Sequence, residues 1–180
     1  MTLMGHTLTG VTIGVLCKPE RVSQQWTKIY FSIFVLLSLI PDLPFKNWGH
    51  DRYRISHSIF VNLLLLVIVV VPFLFLKDRI GGWRVILGGS IAWLSHLLLD
   101  SFYNHGHGVA IFWPFSEARL ALPIPWFSAI LVPFITLQRL QEYLIEFVCY
   151  FPWLLLAIVL RNGTCQRLLR RVLPSSRASF

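Results

Sequence analysis

Residues 59–76 read IFVNLLLLVIVVVPFLFL, and Asn62 is the only strongly polar side chain among them. A helix of this length covers about 27 Å, which is close to the ~30 Å thickness of the bilayer hydrocarbon. Four other apolar segments occupy residues 2–17, 29–45, 84–101 and 142–160. The sequence therefore predicts an all-α protein, a multi-pass transmembrane helical bundle with about five spans.

Composition supports a membrane protein rather than a soluble one. Hydrophobic residues make up 56% of the chain and charged residues only 13%, about half the usual share in soluble domains. The net charge of +8 is concentrated at the C-terminus. The last twenty residues contain Arg161, Arg167, Arg170, Arg171 and Arg177. This pattern is typical of a cytoplasmic tail, so we expect a membrane-embedded domain over 1–160, a basic tail over 161–180, and no nucleic-acid partner.

Charge also predicts the orientation of the helices. With five spans and an inside tail, segments 18–28 and 77–84 lie inside, and Lys and Arg are more numerous there than in the outside segments. The N-terminus is then outside. Residues 126–137 leave an alternative open, because a sixth span there would place both termini on one side. The first segment contains Gly10 and Gly14, and small residues of this kind favour close helix packing.

The pentad His96-Leu97-Leu98-Leu99-Asp100 closes the fourth segment. Residues four apart lie on one helix face, so both side chains can reach a single metal ion. Polar groups of this kind are costly in lipid and usually functional. A structural hydrogen-bonded pair is the alternative.

Three further candidates, His6, Asp42 and His57, lie at segment ends that the predicted topology places at this same outer face. Each has an ordinary alternative, because His6 can bond a neighbouring helix and Asp42 can cap a proline turn. His57 can lie at a helix start for which Ser56 is the N-cap. Their shared membrane face favours a common site.

Three imidazoles and two carboxylates suit a divalent first-row metal, above all zinc. Five ligands exceed the needs of one catalytic ion, which favours two ions bridged by an aspartate and the hydrolysis of phosphate esters. We expect two further catalytic residues. Arg54 can clamp a phosphoryl oxygen, or it can be an ordinary loop charge. His105 can act as an additional ligand, or it can be solvated.

In order and spacing, these residues resemble the YdjM-like membrane-bound metal-dependent hydrolases of bacteria. The resemblance covers most of residues 1–116, although Arg52, Tyr53 and Arg54 replace a His-Arg-Gly arm that is frequent in that family. The motifs that carry it are Gly5-His6, Pro41-Asp42, Ser56-His57-Ser58, His96-xxx-Asp100 and Trp113-Pro114-Phe115-Ser116.

A more distant similarity links the same order to zinc-dependent phospholipase C and the single-strand nucleases. It implies that one zinc is held by Asp42, His57, His96 and Asp100. It also implies that Asp100 bridges to a second ion bound by His6, and that His105 begins a further metal site. The later His-xxx-Glu of those enzymes is missing here.

The leading hypothesis is a metal-dependent hydrolase in the bacterial cytoplasmic membrane, acting on a phospholipid or another phosphoester through a metal-activated water. The lipid bilayer is its expected partner. Two alternatives stay open: a transporter that passes metal ions or protons, and a non-catalytic membrane protein in which a metal joins the helices.

Overall fold

The computed structural model describes residues 3–20, 23–49, 53–80, 82–102, 108–122 and 136–162. Within these ranges the regular secondary structure is helical, apart from one antiparallel bridge between Val109 and Leu120, and turns and loops connect the helices. The helices are α1 (Leu3–Cys17), α2 (Gln24–Leu39), α3 (Tyr53–Ser56), α4 (Ile59–Ile80), α5 (Trp83–Ser101) and α6 (Leu137–Arg161), with a 3₁₀ turn at Ile40–Asp42 after α2. All five predicted apolar segments are helices, and the all-α prediction is confirmed for these residues.

α1 is the central helix, and α2 packs against it in the opposite direction. A Cβ on Gly10 would lie 2.7 Å from the Phe34 carbonyl oxygen, and one on Gly14 would lie 3.2 Å from the Phe31 ring. The backbones approach this closely because neither glycine has a side chain. The close packing predicted from the small residues of α1 is confirmed.

α5 also runs antiparallel to α1. Asp100, near the end of α5, contacts His6 near the start of α1. Gly88, near the start of α5, lies against Cys17, the last residue of α1. α4 in turn contacts α5. Trp93, near the middle of α5, donates a hydrogen bond from Nε1 to Oδ1 of Asn62, near the start of α4, at 2.8 Å.

α6 runs parallel to α1, and the two helices are in contact from one end of α1 to the other. The backbone N–H of Gly5 donates to Glu146 Oε2 at 2.9 Å, and Arg161 Nη1 donates to the Val15 carbonyl at 2.7 Å. As a result, the starts of α1, α4 and α6 and the ends of α2 and α5 lie at one end of the bundle. Five residues with metal-binding side chains, His6, Asp42, His57, His96 and Asp100, all lie at this end.

The number of membrane spans differs from the prediction. Among the described residues, two helices are long and apolar enough to cross a bilayer, over Ile59–Leu76 and Arg139–Arg161. The expectation of about five spans is therefore not supported. α1 and α2 have 15 and 16 residues, or about 22–24 Å, which is shorter than the hydrocarbon thickness. α5 has 19 residues, but polar side chains interrupt its apolar sequence.

The two candidate spans are also the helices with the most exposed apolar surface. Only 11% of the residues in each apolar window are buried inside the protein. Leu64 of α4 and Trp153 of α6 are each more than half exposed. Exposed apolar faces of this size are expected where a helix contacts lipid.

The segment 108–122 closes the end of the bundle that holds the buried polar residues. The Ile59 backbone N–H donates to the Ile111 carbonyl at 2.8 Å, and the Leu122 N–H donates to the Ser101 carbonyl at 2.7 Å. Ser58, rather than Ser56, caps α4, since Ser58 Oγ accepts from the Val61 N–H. His105, nearly all of the 126–137 stretch and the tail after 162 lie outside the described residues.

The contact between α1 and α2 should be intolerant of added volume at Gly10. We expect Gly10→Ala to lower the free energy of unfolding by about 1–3 kcal/mol, because its Cβ would meet backbone that cannot move aside. The melting temperature of the detergent-purified protein measures this.

Gly89→Ala is the matched control, since its Cβ would meet only the flexible end of Leu37, at 3.1 Å. It should be neutral or slightly stabilising, because alanine favours a helix over glycine. Equal melting temperatures for the two variants would contradict the proposed close contact.

Candidate metal centre

Separate parts of the chain bring three imidazoles and two carboxylates together. His6 comes from the first turns of α1, Asp42 from the 3₁₀ turn after α2, and His57 from the link between α3 and α4. His96 and Asp100 come from one face of α5. The structure thus places all five residues predicted from the sequence in one cluster, which we call the His/Asp cluster.

Asp100 lies at the centre of the His/Asp cluster. Its Oδ1 is 3.1 Å from His6 Nε2, while its Oδ2 is 3.1 Å from His57 Nε2 and 3.4 Å from His96 Nε2. The two oxygens of one carboxylate therefore face different imidazoles. The His6 and His96 rings are stacked, with centroids 3.7 Å apart.

Asp42 faces the same two imidazoles as the second oxygen of Asp100. Its Oδ1 lies 3.4 Å from His57 Nε2 and its Oδ2 lies 3.6 Å from His96 Nε2. One donor atom from each of His6, Asp42, His96 and Asp100 lies within 4.8 Å of every other. This group can hold a metal ion.

The tautomer of His96 is set by its hydrogen bond to α2. His96 Nδ1 lies 2.8 Å from the Ser38 carbonyl oxygen, which can only accept, so Nδ1 carries the proton. In the neutral ring, His96 Nε2 then presents a lone pair to the Asp42 and Asp100 carboxylates, and Nε2 has no hydrogen-bond partner among the described residues.

His57 also donates a hydrogen bond from Nδ1, which leaves its Nε2 facing the carboxylates. The Ser56 hydroxyl donates to the Gly49 carbonyl at 3.1 Å, so its oxygen accepts from His57 Nδ1 at 2.8 Å. The Tyr53 carbonyl is a second acceptor, 3.2 Å from Nδ1. His57 Nε2 therefore also points at the carboxylates.

These partners make the His/Asp cluster suited to a cation. Lone pairs and carboxylate oxygens repel one another unless a proton or a cation lies between them. Histidines that bind metals typically donate their other N–H to a carbonyl or hydroxyl oxygen, as His57 and His96 do here. The donor set, nitrogen and carboxylate oxygen, is the one that zinc and similar divalent metals prefer.

Burial separates Asp42 from the rest of the His/Asp cluster. His6, His57 and His96 are at most 1% exposed and Asp100 is 2% exposed, whereas the Asp42 side chain is 22% exposed. Solvent therefore reaches the His/Asp cluster on the side of Asp42. Burial raises the pKa of Asp42, but the nearby His57 and His96 imidazoles outweigh it and hold the pKa below the usual range, so Asp42 is ionised at neutral pH.

Tyr53 lies beside the His/Asp cluster, and sequence reasoning had assigned it no role. Its ring stacks on His57 with centroids 3.8 Å apart, and its hydroxyl donates to Asp100 Oδ2 at 3.5 Å. Burial, together with the negative charges of Asp100 and Asp42, raises the pKa of Tyr53 well above its usual range. The tyrosine therefore stays protonated and remains a hydrogen-bond donor.

Asn62 positions the segment that carries His57. Its Nδ2 donates to the carbonyls of Ser56 at 2.7 Å and Ser58 at 2.8 Å, and its Oδ1 accepts from Trp93 of α5. The sequence did contain a signal for this role, since Asn62 is the one strongly polar residue in the apolar run 59–76.

Of the two predicted catalytic residues, only Arg54 is among the described residues, and it does not join the His/Asp cluster. Arg54 is 54% exposed and pairs with Glu117 at 3.0 Å on the protein surface. His105 lies outside the described residues.

Comparison with known proteins identifies one family. Residues 1–164 match the family model described as YdjM inner membrane protein, a range that contains the whole His/Asp cluster. No curated protein matches the chain, and no solved structure matches it either.

The partners of the imidazoles should affect metal affinity although they bind no metal. We expect Ser56→Ala to weaken zinc binding by about 10–100-fold, because His57 Nδ1 loses its closest acceptor. Competition with a chromogenic chelator measures the affinity.

Ser90→Ala is the control, since Ser90 bonds only the carbonyl of its own helix at Ile86. It should bind zinc as the wild type does. An unchanged affinity in Ser56→Ala would contradict the assigned tautomer of His57.

Proposed function

Since this chain belongs to the YdjM inner membrane protein family, we propose that the His/Asp cluster is the metal centre of a membrane-bound hydrolase. Family membership associates the protein with the lipid bilayer. The proposed reaction is the hydrolysis of a phosphoester, with zinc as the metal. Family membership supports only the membrane association. The proposals for the reaction, the metal and the substrate rest on the side chains of the His/Asp cluster.

The observation that carries the proposal is the position of Asp100. One of its oxygens faces His6, and the other faces His57 and His96, which Asp42 also faces. This division supports two adjacent metal sites, with Asp42, His57, His96 and Asp100 holding one ion and His6 sharing Asp100 with the second. A bridging carboxylate between two ions is common in enzymes that hydrolyse phosphate esters.

Divalent ions in these positions would supply a water of lowered pKa and an electrophile for a phosphoryl oxygen. The protein's own contribution is to hold the donors fixed. Ser38 and Ser56 orient His96 and His57, and Tyr53 donates to the Asp100 oxygen that those two imidazoles share. Asp42, ionised and in contact with solvent, is placed to accept a proton.

Arg54 is proposed to bind a phosphoryl oxygen of the substrate. Arg54 is the residue directly after Tyr53, whose ring stacks on His57 of the His/Asp cluster. Its present partner is Glu117, and a surface ion pair of this kind is weak. A phosphate, which matches the guanidinium fork, can replace that carboxylate.

Location favours a substrate that resides in the membrane. His57 lies two residues before the candidate span Ile59–Leu76, which supports a position of the His/Asp cluster at a membrane–water boundary. Headgroups of phospholipids lie at this depth. We therefore propose a phospholipid or a related lipid phosphoester, a multi-pass arrangement over 1–160, and a basic cytoplasmic tail over 161–180.

Metal content tests the two-ion arrangement. Elemental analysis of the purified protein should find two zinc ions per chain, one in His6→Ala, and none in Asp100→Ala. Two ions retained in Asp100→Ala would overturn the assignment of Asp100 as the shared ligand.

Hydrolysis tests the reaction. A screen of phosphodiesters and phospholipids should find activity that chelation abolishes and added zinc restores. Asp100→Asn should remove this activity, because it takes the charge from the shared carboxylate while keeping its shape. Glu20→Gln, an exposed carboxyl at the opposite end of the bundle, should leave it unchanged.

Two other outcomes point to the alternative functions. Metal that is bound but supports no hydrolysis, together with unfolding on chelation, would indicate a structural metal. Metal or proton flux in proteoliposomes, lost in the same variants, would indicate a transporter.

A further inference from the structure

The end of the bundle opposite the His/Asp cluster contains two arginines that share one acceptor. Arg84 of α5 donates from Nη2 to the Leu16 carbonyl at 3.3 Å. Arg161 of α6 donates from Nη1 to the same oxygen at 3.3 Å and to the Val15 carbonyl at 2.7 Å. Two guanidinium groups from different helices thus converge on the last turn of α1.

This pair has no acidic partner among the described residues, where its hydrogen bonds go to backbone carbonyls. The partial negative charge at the end of α1 offsets only part of two full positive charges. Each guanidinium has five N–H donors, most of which these bonds leave available. An anion that accepts from both groups would therefore be stabilised.

The pair lies at a membrane boundary. Arg161 is the last residue of the candidate span Arg139–Arg161. Lys18 follows α1 at the same end, and Lys28 lies near the start of α2. An excess of positive charge at one end of a membrane protein is where anionic lipid headgroups bind.

A groove lies farther along α1 from the arginine pair, between α1, α6 and the last turns of α5. It has a volume of about 200 Å³, and its walls are almost entirely apolar. Its lining residues are Thr9, Thr12, Ile13, Leu99, Tyr150 and Trp153. Ile13 lies about 3–5 Å along the helix axis from the carbonyls of Val15 and Leu16 that the arginines bind.

From the arginine pair and the groove together, we infer that this seam binds one anionic phospholipid. The phosphate lies between Arg84 and Arg161, and an acyl chain runs along the groove towards the middle of the bilayer. Acyl chains of all lipids are equally apolar, so the groove selects for shape while the arginines select for charge. This site is separate from the His/Asp cluster and does not depend on hydrolysis.

Native mass spectrometry can test the site on the detergent-purified protein. With phosphatidylglycerol and phosphatidylethanolamine of identical acyl chains at equal concentrations, we expect the wild type to retain mainly phosphatidylglycerol. Each of Arg84→Gln and Arg161→Gln should lower this preference about fivefold. The use of both variants protects the test if one of them fails to fold.

Lys28→Gln is the matched control, because it removes one positive charge from the same end without touching the pair. It should keep the wild-type preference. An equal loss in this variant would reduce the effect to general surface charge and overturn the site.

Two further arms separate a lipid from a free phosphate. Thr12→Phe fills the groove and should weaken retention of phosphatidylglycerol. The chain-free headgroup glycerophosphoglycerol should not bind at the concentrations that saturate the lipid. Binding of the headgroup alone at equal strength, or no preference between the two lipids in the wild type, would overturn the inference.

Discussion

The Asp100 carboxylate is the group around which this protein is organised. It is 2% exposed and contacts imidazoles from α1, from the link before α4, and from α5 itself. An ionised carboxylate taken out of water is strongly unfavourable unless other charges and hydrogen bonds compensate it. The elements that supply these imidazoles must therefore meet at Asp100, and this requirement brings residues 94 positions apart in the chain into contact.

Close helix packing makes this meeting possible. His6 can reach Asp100 only if α1 lies directly against α5, and His96 can reach the Ser38 carbonyl only if α2 does so as well. Glycines permit these approaches: a Cβ on Gly88 of α5 would lie 2.8 Å from Cys17 Cβ of α1, and one on Gly89 would lie 3.1 Å from Leu37 Cδ1 of α2. Small residues thus act on the site from a distance, through the spacing of the helices that carry the ligands.

Much of the His/Asp cluster could be predicted from the sequence, and its partners largely could not. Polar residues at the ends of apolar segments gave all five members, because hydrophobic periodicity and alternating helix direction place those ends together. The acceptor that fixes the tautomer of His96 is the backbone of Ser38, and a carbonyl group has no signature in the sequence. The pairing of Arg54 with Glu117 joins two surface positions of the loops, which periodicity does not relate. The sequence predicted about five spans, whereas two helices of the described residues are long and apolar enough. An apolar segment does not reveal where its helix begins and ends, and α1 and α2 are only 15 and 16 residues long.

The shortness of α1 explains why charged side chains meet it at both ends. At 15 residues it spans about 22 Å, which is less than the thickness of the hydrocarbon in an ordinary bilayer. The free N–H groups at its start and the free carbonyls at its end need partners, because an unsatisfied backbone group is costly away from water. Glu146 accepts from the Gly5 N–H at the start, while Arg84 and Arg161 donate to the carbonyls at the end. Their charges are also those that the dipole of the helix favours at each end.

α6 supplies one group at each end, Glu146 and Arg161, and this explains why it runs parallel to α1. The same helix thereby fixes His6 at one end and the arginine pair at the other, so that the two sites are held by a single packing arrangement.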